Sequence, residues 1–387
     1  MDNAATTPTD TEVLKAMNPY FSSKYGNPNS VHFFGQEARD AVENARRHVA
    51  HLIGATSGEI IFTGGGTEAD NHALKGIAWA NQKKGNHIIT SKIEHHAVLH
   101  ACHFLEKHGF RVTYLPVDKY GLINPEEVKK EITDKTILIS IMHANNEIGT
   151  IEPIREIGRI AKERDIYFHT DSVQAVGHIP IDVNDLGVDL LTMSGHKLYG
   201  PNGIGALFIK KGTKIVPLID GGGQEKNRRA GTENVAGIVG MGKAAELAEK
   251  RMFEGEEVKI SKLRDNLIEG IMKKVKHVRL NGHPTMRLPG NINLCFEFIE
   301  GESMLLSLDM KGVAASSGSA CTSGSLEASH VLLAIGLAPE IAHGSLRLSL
   351  GKENTEEDVN YVVEILPGII KKLRDLSPFQ GKWKGLK

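Results

Sequence analysis

Short apolar runs recur along the first part of the chain, at residues 59–63, 87–90, 112–117, 137–142, 167–169, 190–193 and 206–209. Each has strand length, and the segments between them, in the first half especially, are amphipathic and long enough for helices. Strands alternating with helices predict an α/β fold built on a mostly parallel sheet covered on both faces. From Val235 the pattern changes to a long helical stretch reaching about Val275, broken near Gly255, and then to shorter strands with helices. The change predicts a large domain over 12–255 and a smaller α+β domain over 256–387. No internal repeat, low-complexity tract or long linker interrupts the chain.

Chemistry-bearing residues gather where those strands end. Lys197 lies in the turn Ser194-Gly195-His196-Lys197-Leu198-Tyr199-Gly200-Pro201, directly after an apolar strand. The carboxyl edge of an open α/β sheet is where such folds bind ligands. A lysine desolvated there can act as a Schiff-base nucleophile toward an aldehyde cofactor. A surface lysine following a strand has the same local sequence, so the neighbouring strand ends matter. Asp171 and Gln174 follow the run at 167–169; a carboxylate there suits the ring nitrogen of pyridoxal phosphate, and it can equally cap a helix. Gly64-Gly65-Gly66 and Thr67 join the first strand to a helix carrying Ala73, Leu74, Ile77 and Ala78 at helical spacing. Its free N–H groups and dipole suit a phosphate, although the spacing is neither a Walker loop nor a dinucleotide fingerprint.

Composition narrows the choice further. A chain of 387 residues supports two cores, and a net charge of -1 gives no reason to expect nucleic-acid binding. No signal-peptide pattern and no apolar stretch of ~18 residues is visible, so neither membrane association nor export is expected and a cytoplasmic location is. The three cysteines are too scattered for a disulfide framework or a Cys-x-x-Cys site. Cys102 falls in a helical stretch and Cys295 in the strand-like run 291–296, and both read as packing residues. Cys321 is surrounded by small polar residues from Ala315 to Ser325, which predicts an exposed loop and an accessible thiol. The 18 histidines show no metal-binding spacing. His95 stands apart, since it opens a helix after the run at 87–90. The lysines at 273–276 and near the end of the chain read as solvated charge.

Taken in order, these motifs resemble the cysteine desulfurases of the NifS/IscS type, in the class V branch of fold-type I pyridoxal-phosphate enzymes. The resemblance runs nearly end to end: Asp2-Asn3-Ala4-Ala5-Thr6-Thr7-Pro8, Gly26-Asn27-Pro28, Glu94-His95-His96, Asn145-Asn146-Glu147, Ser194-Gly195-His196-Lys197, Gly221-Gly222-Gly223-Gln224-Glu225, Ser316-Ser317-Gly318-Ser319-Ala320-Cys321 and Ser345-Leu346-Arg347. The apolar residues that precede the first motif in the family are absent ahead of Asp2, and Asn202 stands where the family often has lysine.

The resemblance implies roles for particular residues. Lys197 holds pyridoxal 5'-phosphate and then moves the substrate's Cα proton. Asp171 pairs with the pyridinium nitrogen, Gln174 bonds the ring oxygen, and His95 stacks on the ring and moves protons. Gly66, Thr67, Ser194 and His196 hold the phosphate. Thr232 reaches that phosphate from the partner subunit of a homodimer with composite sites. Asn146, counted with the cofactor site as well, and Arg347 take the carboxylate of L-cysteine. Cys321 receives the sulfur as a persulfide, leaving L-alanine. No resident metal is implied; Cys321 is a candidate transient iron–sulfur ligand shared with a scaffold. The loop 316–325 resembles the branch that passes sulfur to protein acceptors for iron–sulfur assembly or thio-modification. In the family, residues 1–11 pack against the small domain. Selenocysteine lyase or class V aminotransferase activity would use the same lysine and aspartate, and a non-catalytic scaffold is the remaining alternative.

Overall fold

Neighbouring residues in the apolar runs point into different hydrophobic layers. Ile60 and Phe62 join one core while Ile61 joins another, and the pairs Ile88/Ile89, Leu138/Ile139, Leu190/Leu191 and Leu207/Phe208 divide in the same way. A strand covered on both faces needs apolar side chains at every position, which produces unbroken runs in place of alternation.

The computed structural model describes residues 1–317 and 328–377. The runs become β1 (Ile60–Thr63), β2 (His87–Ser91), β3 (Arg111–Leu115), β4 (Thr136–Ser140), β5 (Tyr167–Asp171), β6 (Leu190–Ser194) and β7 (Gly205–Ile209). They form one seven-stranded sheet in the order β1-β7-β6-β5-β4-β2-β3. Strands β2 to β6 are parallel to their neighbours within that group, whereas β7 runs antiparallel to both β6 and β1. Two boundaries differ usefully from the sequence reading, because β5 runs on to Asp171 and β6 to Ser194. The backbone carrying both side chains is therefore held in the sheet rather than in a loop.

The helix Gly66–Asn81 lays Ala69, Ala73, Leu74, Ile77 and Ala78 on one face of this sheet. On the other face lie the helices Phe33–Leu52 and Val235–Phe253. These two approach so closely that a Cβ on Gly242 would meet Ala45 Cα at 2.4 Å and Ala45 Cβ at 2.5 Å. Overpacking of this kind costs about 1–3 kcal/mol. Gly242→Ala is accordingly expected to lower the thermal midpoint of the cofactor-free protein, read by circular dichroism.

Gly255, at φ +76°, separates the helices Val235–Phe253 and Glu256–Lys274. The second helix, with Gly301–Asp309 and Glu356–Leu376, covers a three-stranded antiparallel sheet ordered β10-β9-β8, made of β8 (Val278–Asn281), β9 (Asn291–Phe296) and β10 (Ser345–Ser349). Here the strands do alternate. Ile292, Leu294, Phe296, Leu346 and Leu348 enter the helix-covered core. Asn291, Asn293 and Arg347 take the other face, turned toward the Asn145–Thr150 loop, where Asn293 Nδ2 donates to the Glu147 carbonyl at 3.1 Å. Cys102 and Cys295 are both buried, as packing residues are.

The first residues join both sheets. Asp2 bridges Ser349 of β10, while Thr7 N and Oγ1 both donate to the His196 carbonyl and Asp10 N to that of Tyr199. Residues 2–10 thus contact the turn that carries Lys197 as well as the small sheet. Among the described residues no helix is long and apolar enough to cross a membrane.

Candidate active site

β6 ends in a short 3-10 turn, Gly195–Lys197, closed by a Gly195 N–H to Ile204 carbonyl bond of 3.0 Å. A side chain at Gly195 would press within 2.8 Å of Ile204 Cγ2, so only glycine lets the chain turn this tightly against β7. The turn sends Lys197 along the sheet edge, where its Nζ donates to the carbonyls of Ala4 at 2.5 Å and Ala5 at 2.6 Å. Gln174 Nε2 donates to the same Ala4 carbonyl at 3.1 Å. Lysine and glutamine therefore meet on one backbone oxygen.

Asp171, the last residue of β5, is buried, and its Oδ1 accepts Val173 N–H at 3.0 Å. Burial pushes its carboxyl above the ordinary range, opposed by the Val173 bond and by the nearby Lys197 charge. His95 caps the helix His96–Glu106, and its Nδ1 accepts Ala97 N–H at 3.2 Å. That bond assigns the proton of the neutral ring to Nε2. Burial, Lys197 and the neighbouring His330 and His100 lower His95 to about 4, so it is neutral at physiological pH. Asp70, His95 and Asp171 each place a side-chain N or O atom within 4.8 Å of those of the other two.

Asp70 belongs to this floor and was not singled out from sequence. It is 1% exposed, its Oδ1 has no hydrogen-bond partner, and burial beside Asp171 raises its carboxyl well above the usual range. His169 lies beneath, with Nε2 3.0 Å from Thr192 Oγ1 and 3.6 Å from Asp70 Oδ1, and burial lowers it to about 3. Glu94, raised to about 8 by burial, accepts Ser91 Oγ at 2.7 Å. The signal for Asp70 was present in the sequence: an acid at the position four before Leu74 and seven before Ile77, in the middle of the helix's apolar stripe.

A separate cavity of about 540 Å³ opens at the start of the helix Gly66–Asn81, lined by Thr6, Gly64, Gly65, Gly66, Thr67, Ser194 and His196 among others. Gly65, at φ 150°, gives the loop its shape, and a Cβ on Gly66 would meet Val173 Cγ2 at 2.9 Å. Glu68 would be unwelcome beside an anion, but its carboxylate takes Arg229 Nε at 2.8 Å and Gly64 N–H at 2.8 Å. Arg229 is a second residue that the sequence reading missed.

Arg347 Nη1 donates to the Asn146 carbonyl at 3.1 Å, which unites the two residues assigned to a carboxylate. Thr232 is exposed and does not line this cavity of its own chain. Cys321 lies outside the described residues.

Known proteins share both sequence and architecture. The Aminotransferase class-V family profile matches residues 1–362. "Cysteine desulfurase IscS" of Dictyoglomus turgidum is 60% identical over 384 residues, covering 99% of this chain and 97% of that protein. Among solved structures, a "NifS-like protein" superposes with a TM-score of 0.90 at 40% identity, covering 96% of this chain and 99% of the other. A structure titled "SspA in complex with cysteine" follows at TM-score 0.79 and 39% identity, covering 92% of this chain and 99% of its own. With a family profile over residues 1–362 and relatives of this similarity over nearly every residue, the chain belongs to the class V aminotransferase family, within its IscS/NifS group of cysteine desulfurases.

Proposed function

We propose that this protein is a pyridoxal-phosphate-dependent cysteine desulfurase that converts L-cysteine to L-alanine and takes the released sulfur onto Cys321. The observation that carries this reading is the convergence at one sheet edge of the Lys197 amine, the buried Asp171 carboxyl and the neutral His95, beside a glycine-lined cavity at a helix start.

The residues present fit pyridoxal 5'-phosphate. Gly66 and Thr67 supply unpaired helix N–H groups for its phosphate, with Ser194 and His196 on the same cavity wall. Asp171 would face the ring nitrogen, Gln174 the ring oxygen and His95 the ring face, while Lys197 would be its covalent anchor. When bound, this vitamin supplies an electron sink for the bond changes at the substrate's Cα and Cβ.

The chain's own groups then divide the work. Arg347, buried and planar, holds the α-carboxylate of L-cysteine with Asn146. Lys197, once exchanged for the substrate amine, carries the Cα proton. His95, neutral with its proton on Nε2 and its Nδ1 engaged by Ala97, offers that N–H to the site as a donor. The Cys321 thiolate attacks the substrate sulfur; the C–S bond breaks, its electron pair stays with the carbon skeleton, and protonation of that carbon gives L-alanine. Cys321 keeps the sulfur as a persulfide, so the exchange needs no external oxidant. A thiol of ordinary pKa near ~8.5 is only a few per cent ionised at neutral pH, which gives a neighbouring base value.

A homodimer accounts for two surface features. Thr232 is exposed outside its own cavity, consistent with reaching a partner's phosphate. Phe33 is 71% exposed and Val31 85%, next to Tyr25 and Phe34 stacked at 5.4 Å, a patch of the kind that a second copy covers. An iron–sulfur scaffold or another acceptor protein would then receive the sulfur from Cys321. A division near Gly255 is supported by the separate hydrophobic cores of the two sheets.

Incubation with L-cysteine, with alanine and sulfide measured together, tests the reaction. Cys321→Ser should keep the cofactor's colour while losing the protein-bound persulfide and at least about 100-fold of the alanine rate, within the range lost with reacting groups. Parental rates in that variant would remove Cys321 from the mechanism.

A further inference from the structure

Arg347 is held by more than its proposed substrate. The side chain is 2% exposed on the polar face of β10, opposite Asn293 in the ladder. Its Nη1 donates to the Asn146 carbonyl at 3.1 Å and its Nη2 to Asp2 Oδ1 at 3.2 Å, while Nε has no partner among the described residues. Asp2 is itself fixed. Its Oδ2 accepts Ser316 Oγ at 2.9 Å, and its neighbours run along β10 through Ser349 N to the Met1 carbonyl at 2.9 Å and Ala4 N to Ser349 Oγ at 2.8 Å. The other carboxyl near the guanidinium, Glu147, accepts Ser329 Oγ and is raised by burial to about 7.

Resting on the reading of Arg347 as the carboxylate site, we propose that Asp2 is a positioning residue for substrate: with the Asn146 carbonyl it fixes the guanidinium so that the unpaired Nε is left to bond the α-carboxylate of the amino acid. A guanidinium has its donors in one rigid plane, so pinning Nη1 and Nη2 on separate partners sets the direction of Nε. Without Asp2 the plane is held at one corner only, and the carboxylate must pay for ordering it, which lowers affinity for acids and leaves affinity for plain amines alone.

Binding of L-alanine and of ethylamine, the same molecule without its carboxylate, separates this role from a structural one. Both are titrated against the holoenzyme by the change in its visible absorption. Asp2→Ala should weaken L-alanine about tenfold, the loss of one charge-assisted hydrogen bond, and leave ethylamine within twofold. Asp2→Asn, which keeps an acceptor for Nη2, should recover most of that loss. Arg347→Lys supplies the reference for a lost carboxylate site. Weakening by Arg347→Lys with no change, or with tighter alanine binding, in Asp2→Ala overturns the role of Asp2 and leaves Arg347 in place. Equal weakening of alanine and ethylamine in Asp2→Ala also overturns it, as a general disturbance of the site. Unchanged alanine binding in Arg347→Lys removes the carboxylate site itself, and the role of Asp2 falls with it.

Discussion

Lys197→Ala protein, purified with pyridoxal phosphate supplied, is expected to be colourless after dialysis and to form alanine from L-cysteine about 10³- to 10⁴-fold more slowly than the parent. Two functions leave together. On the proposed mechanism these are the covalent hold on the vitamin and the amine that moves the Cα proton. The structure gives a reason why no other group substitutes. Among the residues at the same edge, His95 is tied through Nδ1 to Ala97, and Gln174 carries no titratable amine. Of the carbonyls that accept from Lys197 Nζ, that of Ala4 keeps Gln174 Nε2 as a donor and that of the exposed Ala5 can take water in its place. Folding should therefore survive, checked by an unchanged far-ultraviolet dichroism spectrum. Added methylamine should restore part of the rate if proton transfer is what was lost. A variant that keeps both colour and rate would place the anchor elsewhere.

Asp171→Asn should weaken cofactor binding about 10²- to 10³-fold, measured by equilibrium dialysis, and cut turnover at saturating cofactor by at least as much. The carboxylate is buried, and taking one partner from a buried ion pair costs about 3–5 kcal/mol because the other charge is left uncompensated. Here that other charge would be the protonated ring nitrogen. Asp70 sharpens the expectation. Two buried carboxyls this close do not both ionise, and Asp70, with an orphaned oxygen and no cation bonded to it among the described residues, is the one that keeps its proton. Asp70→Asn, which mimics the protonated acid, should then leave cofactor affinity within a few-fold. The pH sign follows from the same burial: Asp171 is raised, so acidification protonates it earlier than an exposed aspartate and weakens the grip on the ring nitrogen. Affinity in the parent should fall as pH is lowered through the mildly acid range, and the Asp171→Asn protein should show little of that dependence.

The sequence carried much of this site because the chemistry sits at strand ends, and strand ends are marked locally. Lys197, Asp171 and the glycines at 64–66 all follow apolar runs that declare themselves by period and composition. Asp70 and His169 were harder to see: the apolar stripe marks Asp70 as buried, but nothing beside either residue in sequence distinguishes a side chain packed behind Asp171 from any other buried one. Arg229 belonged to a segment read for Thr232, and only folding brings it to Glu68.

Unbroken apolar runs, strand after strand, were enough by themselves to determine the covered parallel sheet and to place a lysine, a carboxylate and a glycine-rich loop along its edge, because backbone period and turn residues act over a few positions. The antiparallel course of β7, the floor of carboxyls behind Asp171, and the meeting of Asp2 with Arg347 across 345 positions of chain were decided by tertiary structure alone. Contacts of that kind depend on which surfaces the packed cores bring together, and no local pattern of residues encodes them.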